Sequence, residues 1–154
     1  MHLAEINVAR LRAPLTDPRL ADFVAHLDAI NALAEDSPGF VWRLKAEAGA
    51  PSSYIKFSDD ELTIVNMSVW TSIDALFAYV YRSGHGEIYR NRRTWFEPLA
   101  NPFVLWWIAE GDVPSIDEGR RRLEMLAHLG PTPDAFTFKT RFDASSLTTS
   151  SAAG

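Results

Sequence analysis

Residues 70–96 read WTSIDALFAYVYRSGHGEIYRNRRTWF, the most informative segment of the chain. It leaves a strand-like run at Trp70 and becomes a long amphipathic helix. Ile73, Leu76, Phe77, Val80 and Tyr81 recur at three- and four-residue spacing, the mark of one buried helical face. At ~100° per residue, His85, Tyr89 and Arg92 project beside Tyr81, Ile88 and Trp95 on that same side. A histidine and an arginine therefore stand where a plain core helix carries leucine. Thr71 or Ser72 supplies the N-cap and Pro98 stops the helix. Gly84, at a cost of ~1 kcal/mol relative to alanine, predicts a break or bend at Ser83-Gly84.

Upstream, Leu62 to Trp70 alternates as a strand, with Leu62, Ile64, Asn66, Ser68 and Trp70 on one side. Before it lies an irregular connection from Lys45 to Glu61, and connections beyond ~12–15 residues are uncommon in compact domains and often functional. Phe40 to Leu44 reads as another strand. Asp17-Pro18 opens a helix as N-cap and first position, and Ser37-Pro38-Gly39 closes it. Leu3 to Ala9 is the first strand, with Leu3, Glu5 and Asn7 on one face and Ala4, Ile6 and Val8 on the other. Downstream, Phe103 to Ile108 is an almost unbroken apolar run, which implies burial on both faces. Ser115-Ile116-Asp117-Glu118 has the capping-box pattern of a third helix. Leu123, Leu126 and Ala127 are expected on its inner side, and a short strand is expected at Phe136 and Phe138.

The order β-α-β-β-α-β is that of the ferredoxin-like split βαβ arrangement, an α+β fold with an antiparallel sheet and helices packed on one face. The other face also carries apolar residues. Two subunits packing sheet to sheet would cover it, so a symmetric homodimer is expected. One domain over residues 1–142 is expected, followed by a flexible tail over 143–154 of serine, threonine, alanine and glycine.

Composition bounds the function. The chain has 154 residues, 47% hydrophobic and 12% aromatic, with five Trp and nine Phe, enough for a dense core or an aromatic-lined cavity. A net charge of −5 argues against a nucleic-acid partner, which calls for a basic domain or stripe. The absence of cysteine excludes disulfides, thiolate nucleophiles and cysteine-ligated metals, and it fits a reducing cytoplasm. The first ten residues lack a signal-peptide pattern, and no apolar run approaches the ~20 residues that span a bilayer. A soluble, cytoplasmic protein without membrane contact is expected.

Four segments carry a resemblance: HLAEINVARLRAPLTDP at the start, SPGFVWRL, SVWTSIDALFAYVYRSGHGEIYRNRRTWF, and GPTPDAFTF near the end. Together they span residues 2–138. The chain resembles an uncharacterised bacterial family, a domain of unknown function in the dimeric α+β barrel superfamily, similar to antibiotic-biosynthesis and heme-degrading monooxygenases. The resemblance implies the fold, a homodimer, and a small-molecule ligand, with no cofactor in the first group and heme in the second. Heme-degrading relatives use an asparagine on the first strand, plus a tryptophan and an iron-ligating histidine on the second helix. Asn7 matches the first. Aligned on WxSxxA at Trp70, the tryptophan position holds Tyr79 and the histidine position holds Tyr89, with His85 one turn early.

The candidate catalytic residues are His85, Arg92 and Asn7. His85 suits a general base or a heme ligand, against the plainer reading of a capping histidine. Arg92 suits an anionic ligand group, or else pairs with Glu5 or Glu97. Asn7 would help stabilise an oxyanion. Glu5, Trp70, Tyr81, Tyr89 and Trp106 are the candidate ligand-binding residues. His2, His26, His85 and His128 are scattered, so no metal site is expected. The readings that remain are a cofactor-independent monooxygenase or isomerase/cyclase on an aromatic or polyketide-like metabolite, a heme protein using His85, and a non-catalytic dimeric ligand sensor.

Overall fold

The computed structural model describes residues 1–82 and 86–147, with the side chains of 86–89 outside that description. The elements are β1 (His2–Leu11), α1 (Ala21–Asp36), β2 (Phe40–Arg43), β3 (Thr63–Trp70), α2 (Ile73–Arg82), α3 (Gly86–Trp95), β4 (Phe96–Glu97), β5 (Phe103–Ile108) and α4 (Ile116–Leu129). The strands form one antiparallel sheet in the order β2-β3-β1-β5, and β4 pairs with the Arg10–Leu11 end of β1. Without the short β4, this is the strand order of a ferredoxin-like fold.

The local chemistry that starts and stops these elements is the one the sequence announces. Asp17 accepts a hydrogen bond from the Arg19 backbone N–H, opening a 3-10 turn over Pro18–Leu20 that leads into α1. Ser72 Oγ accepts from Ala75 N at 3.1 Å and caps α2. Ser115 Oγ accepts from Glu118 N at 3.1 Å and caps α4. In the 70–96 segment α2 is described as far as Arg82 and α3 from Gly86, and the break expected at Ser83-Gly84 lies outside the described residues.

The register of the two central strands decides which residues share a face. Leu3 lies opposite Trp70, Glu5 opposite Ser68, Asn7 opposite Asn66 and Ala9 opposite Ile64. These side chains lie on the face covered by α1 and α2, where Leu3, Trp70, Ile73, Leu76, Tyr79, Leu105 and Phe136 pack together. The second face carries Ala4, Ile6, Val65, Met67, Val104, Trp106 and Ile108, packed against Leu126 and half-buried Leu123 of α4. Gly119 of α4 sits so close that a Cβ there would lie 2.6 Å from Ile6 Cδ1. The face expected to need a second subunit is thus covered by a helix of the same chain.

Other details differ from the sequence-based expectation. Ala127 is exposed, because the inner stripe of α4 runs through Ile116, Gly119, Leu123 and Leu126. Phe136 makes a single bridge to Leu105, bonded both ways at 2.8 and 2.9 Å, rather than a strand. Residues Ser145 to Leu147 form a helical turn, and the rest of the expected tail lies outside the described residues.

Candidate active site

A cavity of about 190 Å³ opens between the first face of the sheet and α1. Its floor is Asn7 and Ala9 of β1 beside Ile64 and Asn66 of β3. Asn7 and Asn66 are direct cross-strand partners, so two carboxamides stand side by side in an otherwise apolar bed. Phe23, Leu27 and Ile30 of α1 form one wall, at the helical spacing that faces the sheet, and Asn31 adds a polar edge. The long connection contributes Pro51, Ser52 and Ser53. Phe96 and Arg92 complete the rim, and both also border a shallow groove along Val8, Pro98 and Pro102.

Ser53 is 9% exposed, and its Oγ has no hydrogen-bond partner. A buried hydroxyl left unpaired costs free energy of about 1–3 kcal/mol. At a cavity wall this is a polar group without a partner, and a bound molecule can supply one.

Behind the floor runs a hydrogen-bonded chain of side chains. Trp70 Nε1 donates to Ser68 Oγ at 2.8 Å, Ser68 Oγ donates to Glu5 Oε1 at 2.7 Å, and Asn7 Nδ2 donates to Glu5 Oε2 at 3.0 Å. Trp70 is held by Tyr79 stacked at 5.1 Å and Phe40 edge-on at 5.5 Å. Glu5 is only 3% exposed. Burial pushes its carboxyl from 4.5 up to about 7, against the two hydrogen bonds, which pull it down. Burial, and after it the Glu5 charge, also raises the Tyr79 phenol.

Of the residues picked from sequence, the structure brings Asn7 and Arg92 to the cavity, with Glu5 and Trp70 linked to it through the chain ending at Asn7. Neither Glu5 nor Trp70 lines it. Tyr81 is 50% exposed on α2 and packs against Phe77 and Phe138. Trp106 is paired with Ala4 and so belongs to the α4 face, away from the cavity, with its indole N–H unpartnered. His85 and the Tyr89 side chain lie outside the described residues. Glu97 is bonded to Arg10 at 2.6 Å, and Glu5 is engaged by Asn7 and Ser68. Asn66, Phe23 and Ser53 were not singled out as site residues. For Asn66 the signal was present, since a polar residue on an inward strand face calls for a cavity, but its partner strand was unknown. Among the described residues no group of three or more His, Cys, Asp or Glu side chains could hold a metal ion, and no helix is long and apolar enough to cross a membrane.

Residues 2–152 match the profile of a domain of unknown function, DUF3291. The chain belongs to the DUF3291 family. No curated protein matches it significantly. Among solved structures, it is similar to SnoaB of Streptomyces nogalater, described as a cofactor-independent oxygenase. The two are 18% identical with a TM-score of 0.50, over 74% of this chain and 98% of that one. It is similar too to NE2512 of Nitrosomonas europaea, a protein of unknown function, at 17% identity and TM-score 0.50 over 74% and 95% of the two chains. At such identities the likeness shows the fold alone, a ferredoxin-like α+β domain.

Proposed function

We propose that this DUF3291 protein binds a phenolic metabolite of one or two rings in the sheet–α1 cavity and oxygenates it without a bound cofactor. The observation that carries this reading is the largely apolar, partly open cavity with paired Asn7 and Asn66 amides on its floor. Apolar walls with a few convergent polar groups are the usual form of a small-molecule site. A cavity of ~150 Å³ accommodates benzene, so about 190 Å³ suits one ring with substituents or a compact bicycle. A fused polyketide of three or more rings requires Pro51–Ser53 or α3 to move.

The chemistry needs no external reductant. A phenol deprotonated to phenolate is electron-rich and itself supplies the electrons that reduce dioxygen. One oxygen atom forms a new C–O bond at a ring carbon, the other leaves as water with two hydrogens from the substrate, and the phenol becomes a quinone. Arg92 and the Asn7 amide would stabilise the phenolate oxygen, a role for preorganised donors in a water-poor site. His85 as the base that removes the proton is carried over from the sequence reading.

Heme does not fit this cavity as it stands, since a porphyrin is several times the size of benzene, and no step is routed through it. The same reading includes a homodimer in the cytoplasm. An edge suited to self-association is β2, which among the described residues pairs only with β3 and leaves Val41 exposed. The test is oxygen uptake with a panel of naphthols and hydroxynaphthoates, with mass spectrometry of products formed under isotopically labelled dioxygen. One labelled oxygen atom per quinone product is expected, with the rate reduced in Asn7→Ala and Arg92→Ala. Turnover that is indifferent to both substitutions, or a panel that neither binds nor reacts, overturns the reading.

A further inference from the structure

The chain Trp70–Ser68–Glu5–Asn7 has a property that follows from counting donors and acceptors. Ionised, the Glu5 carboxylate accepts from both neighbours, Ser68 Oγ at 2.7 Å and Asn7 Nδ2 at 3.0 Å. Protonated, it must donate its single O–H to one of them, which then has to turn around. Ser68 is poorly placed to turn. Its oxygen already accepts from Trp70 Nε1 at 2.8 Å, so its own hydrogen is directed to Glu5, and turning it away would leave that hydroxyl hydrogen to find another acceptor in a buried site. Asn7 can turn at no such loss. A half-turn of its carboxamide places Oδ1 where Nδ2 was, and the contact to Glu5 survives with donor and acceptor exchanged.

We propose that Glu5 is a positioning residue for the cavity: its protonation turns the Asn7 amide, so that the floor offers a hydrogen-bond donor when Glu5 is neutral and an acceptor when it is charged. Asn7 lines the cavity and Glu5 does not, so the proton acts on a ligand only through this amide. A neutral Glu5 also removes a negative charge from behind the site. Both changes favour a ligand oxyanion or carbonyl over a ligand hydroxyl. This rests on the cavity being the ligand site, but the turning of Asn7 itself does not.

The surroundings leave the switch to Glu5. Its cross-strand neighbours are Ser68 on β3 and Leu105 on β5, neither of which titrates in this range. From α2 the group facing it is the Tyr79 phenol, raised by burial and by Glu5 and therefore protonated throughout. Arg43, which acts on Tyr79 from β2, is itself bonded to Glu35 at 2.6 Å. Burial pushes the Glu5 carboxyl up to about 7, which places the transition in the physiological range.

Side-chain amide NMR of the full chain tests this without a ligand. In the native protein the Asn7 Nδ2 resonances and the Glu5 carboxyl carbon are expected to titrate together, with one midpoint near neutral pH. In Glu5→Gln, the new amide donates to Asn7 Oδ1 and accepts from Ser68, so Asn7 is expected to stay at its acid-side position at every pH. Asn7 resonances that ignore the Glu5 titration, or that rest at the alkaline position in Glu5→Gln, overturn the proposal. Binding of α-tetralone, a bicyclic ketone that only accepts hydrogen bonds, supplies the second readout. Its dissociation constant should rise about tenfold per pH step above the midpoint until the weaker binding of the charged form is reached, and be flat in Glu5→Gln. Co-titration of Asn7 with Glu5 but no tetralone binding would retain the switch and reject the cavity as the ligand site.

Discussion

Glu5→Gln also predicts a change in stability that needs neither ligand nor activity. Glu5 lies on the central strand, 3% exposed, with its carboxyl raised from 4.5 to about 7 chiefly by burial. A raised carboxyl binds its proton more tightly in the folded chain than in the unfolded one. Its contribution is therefore complete below the unfolded value and is lost as pH rises through the folded one. The full span of the loss is about 3 kcal/mol, at about 1.4 kcal/mol for each tenfold step in proton affinity. Between about pH 6 and about pH 8.5, the native protein should lose about 1.4 kcal/mol through Glu5 alone. The amide introduced by Glu5→Gln cannot ionise, so the substituted chain lacks this term. Urea unfolding at the two pH values measures it, with the difference between the two proteins removing every other titrating group. A gap that widens by about 1.4 kcal/mol in favour of Glu5→Gln on going to the higher pH, at equal m-values, supports the account. Parallel pH dependence of the two proteins refutes it, since Glu5 would then titrate as a solvated carboxylate.

Other substitutions separate the two faces of the sheet. Asn7→Ala and Arg92→Ala should weaken binding of a hydroxynaphthoate by roughly fivefold and roughly tenfold or more, since a neutral hydrogen bond contributes about 1 kcal/mol and one to a charged group about 1.5–3 kcal/mol; isothermal titration checks both. Gly119→Val should destabilise the fold by about 1–3 kcal/mol through overpacking, because its Cβ would press on Ile6 Cδ1 and on Met67 Sδ, 3.2 Å away. Unchanged urea unfolding would show that α4 does not seat on that face. Trp106→Phe should leave ligand affinity unchanged, since Trp106 lies under α4 on the face opposite the cavity.

The strands and helix ends were legible because each rests on local chemistry: Asp17-Pro18, Ser72, Ser115, and the alternation of β1 and β3. The site was legible in part. Asn7 and Glu5 already share one face of their strand, and Asn66 and Ser68 one face of theirs, but parity alone leaves open which face turns inward. What joined them was the register, Glu5 opposite Ser68 and Asn7 opposite Asn66, and a one-residue slip would have sent one set to the other side. Parity leaves Trp106 open in the same way, because its side on β5 has no meaning until β5 pairs with β1 and sets it on the α4 face. Tyr81 stands half-exposed on α2 against Phe77 and Phe138. Its helical phase relation to Arg92 runs through residues 83–85, which lie outside the described residues. Ser53 could not be found at all, because it sits in an irregular connection where no periodicity points a side chain. Nor does local pattern say that α4 folds back over the second face, a placement made by Gly119 against Ile6 and Met67.

The central claim is that a phenolic ligand occupies the space between β1, β3 and α1. A crystal structure with a bound hydroxynaphthoate tests it most directly. The account predicts the ring against Phe23 and Ile64, an oxygen within hydrogen-bonding distance of Asn7, and the carboxylate toward Arg92. A ligand bound elsewhere, with this cavity still vacant at saturating concentration, would contradict it.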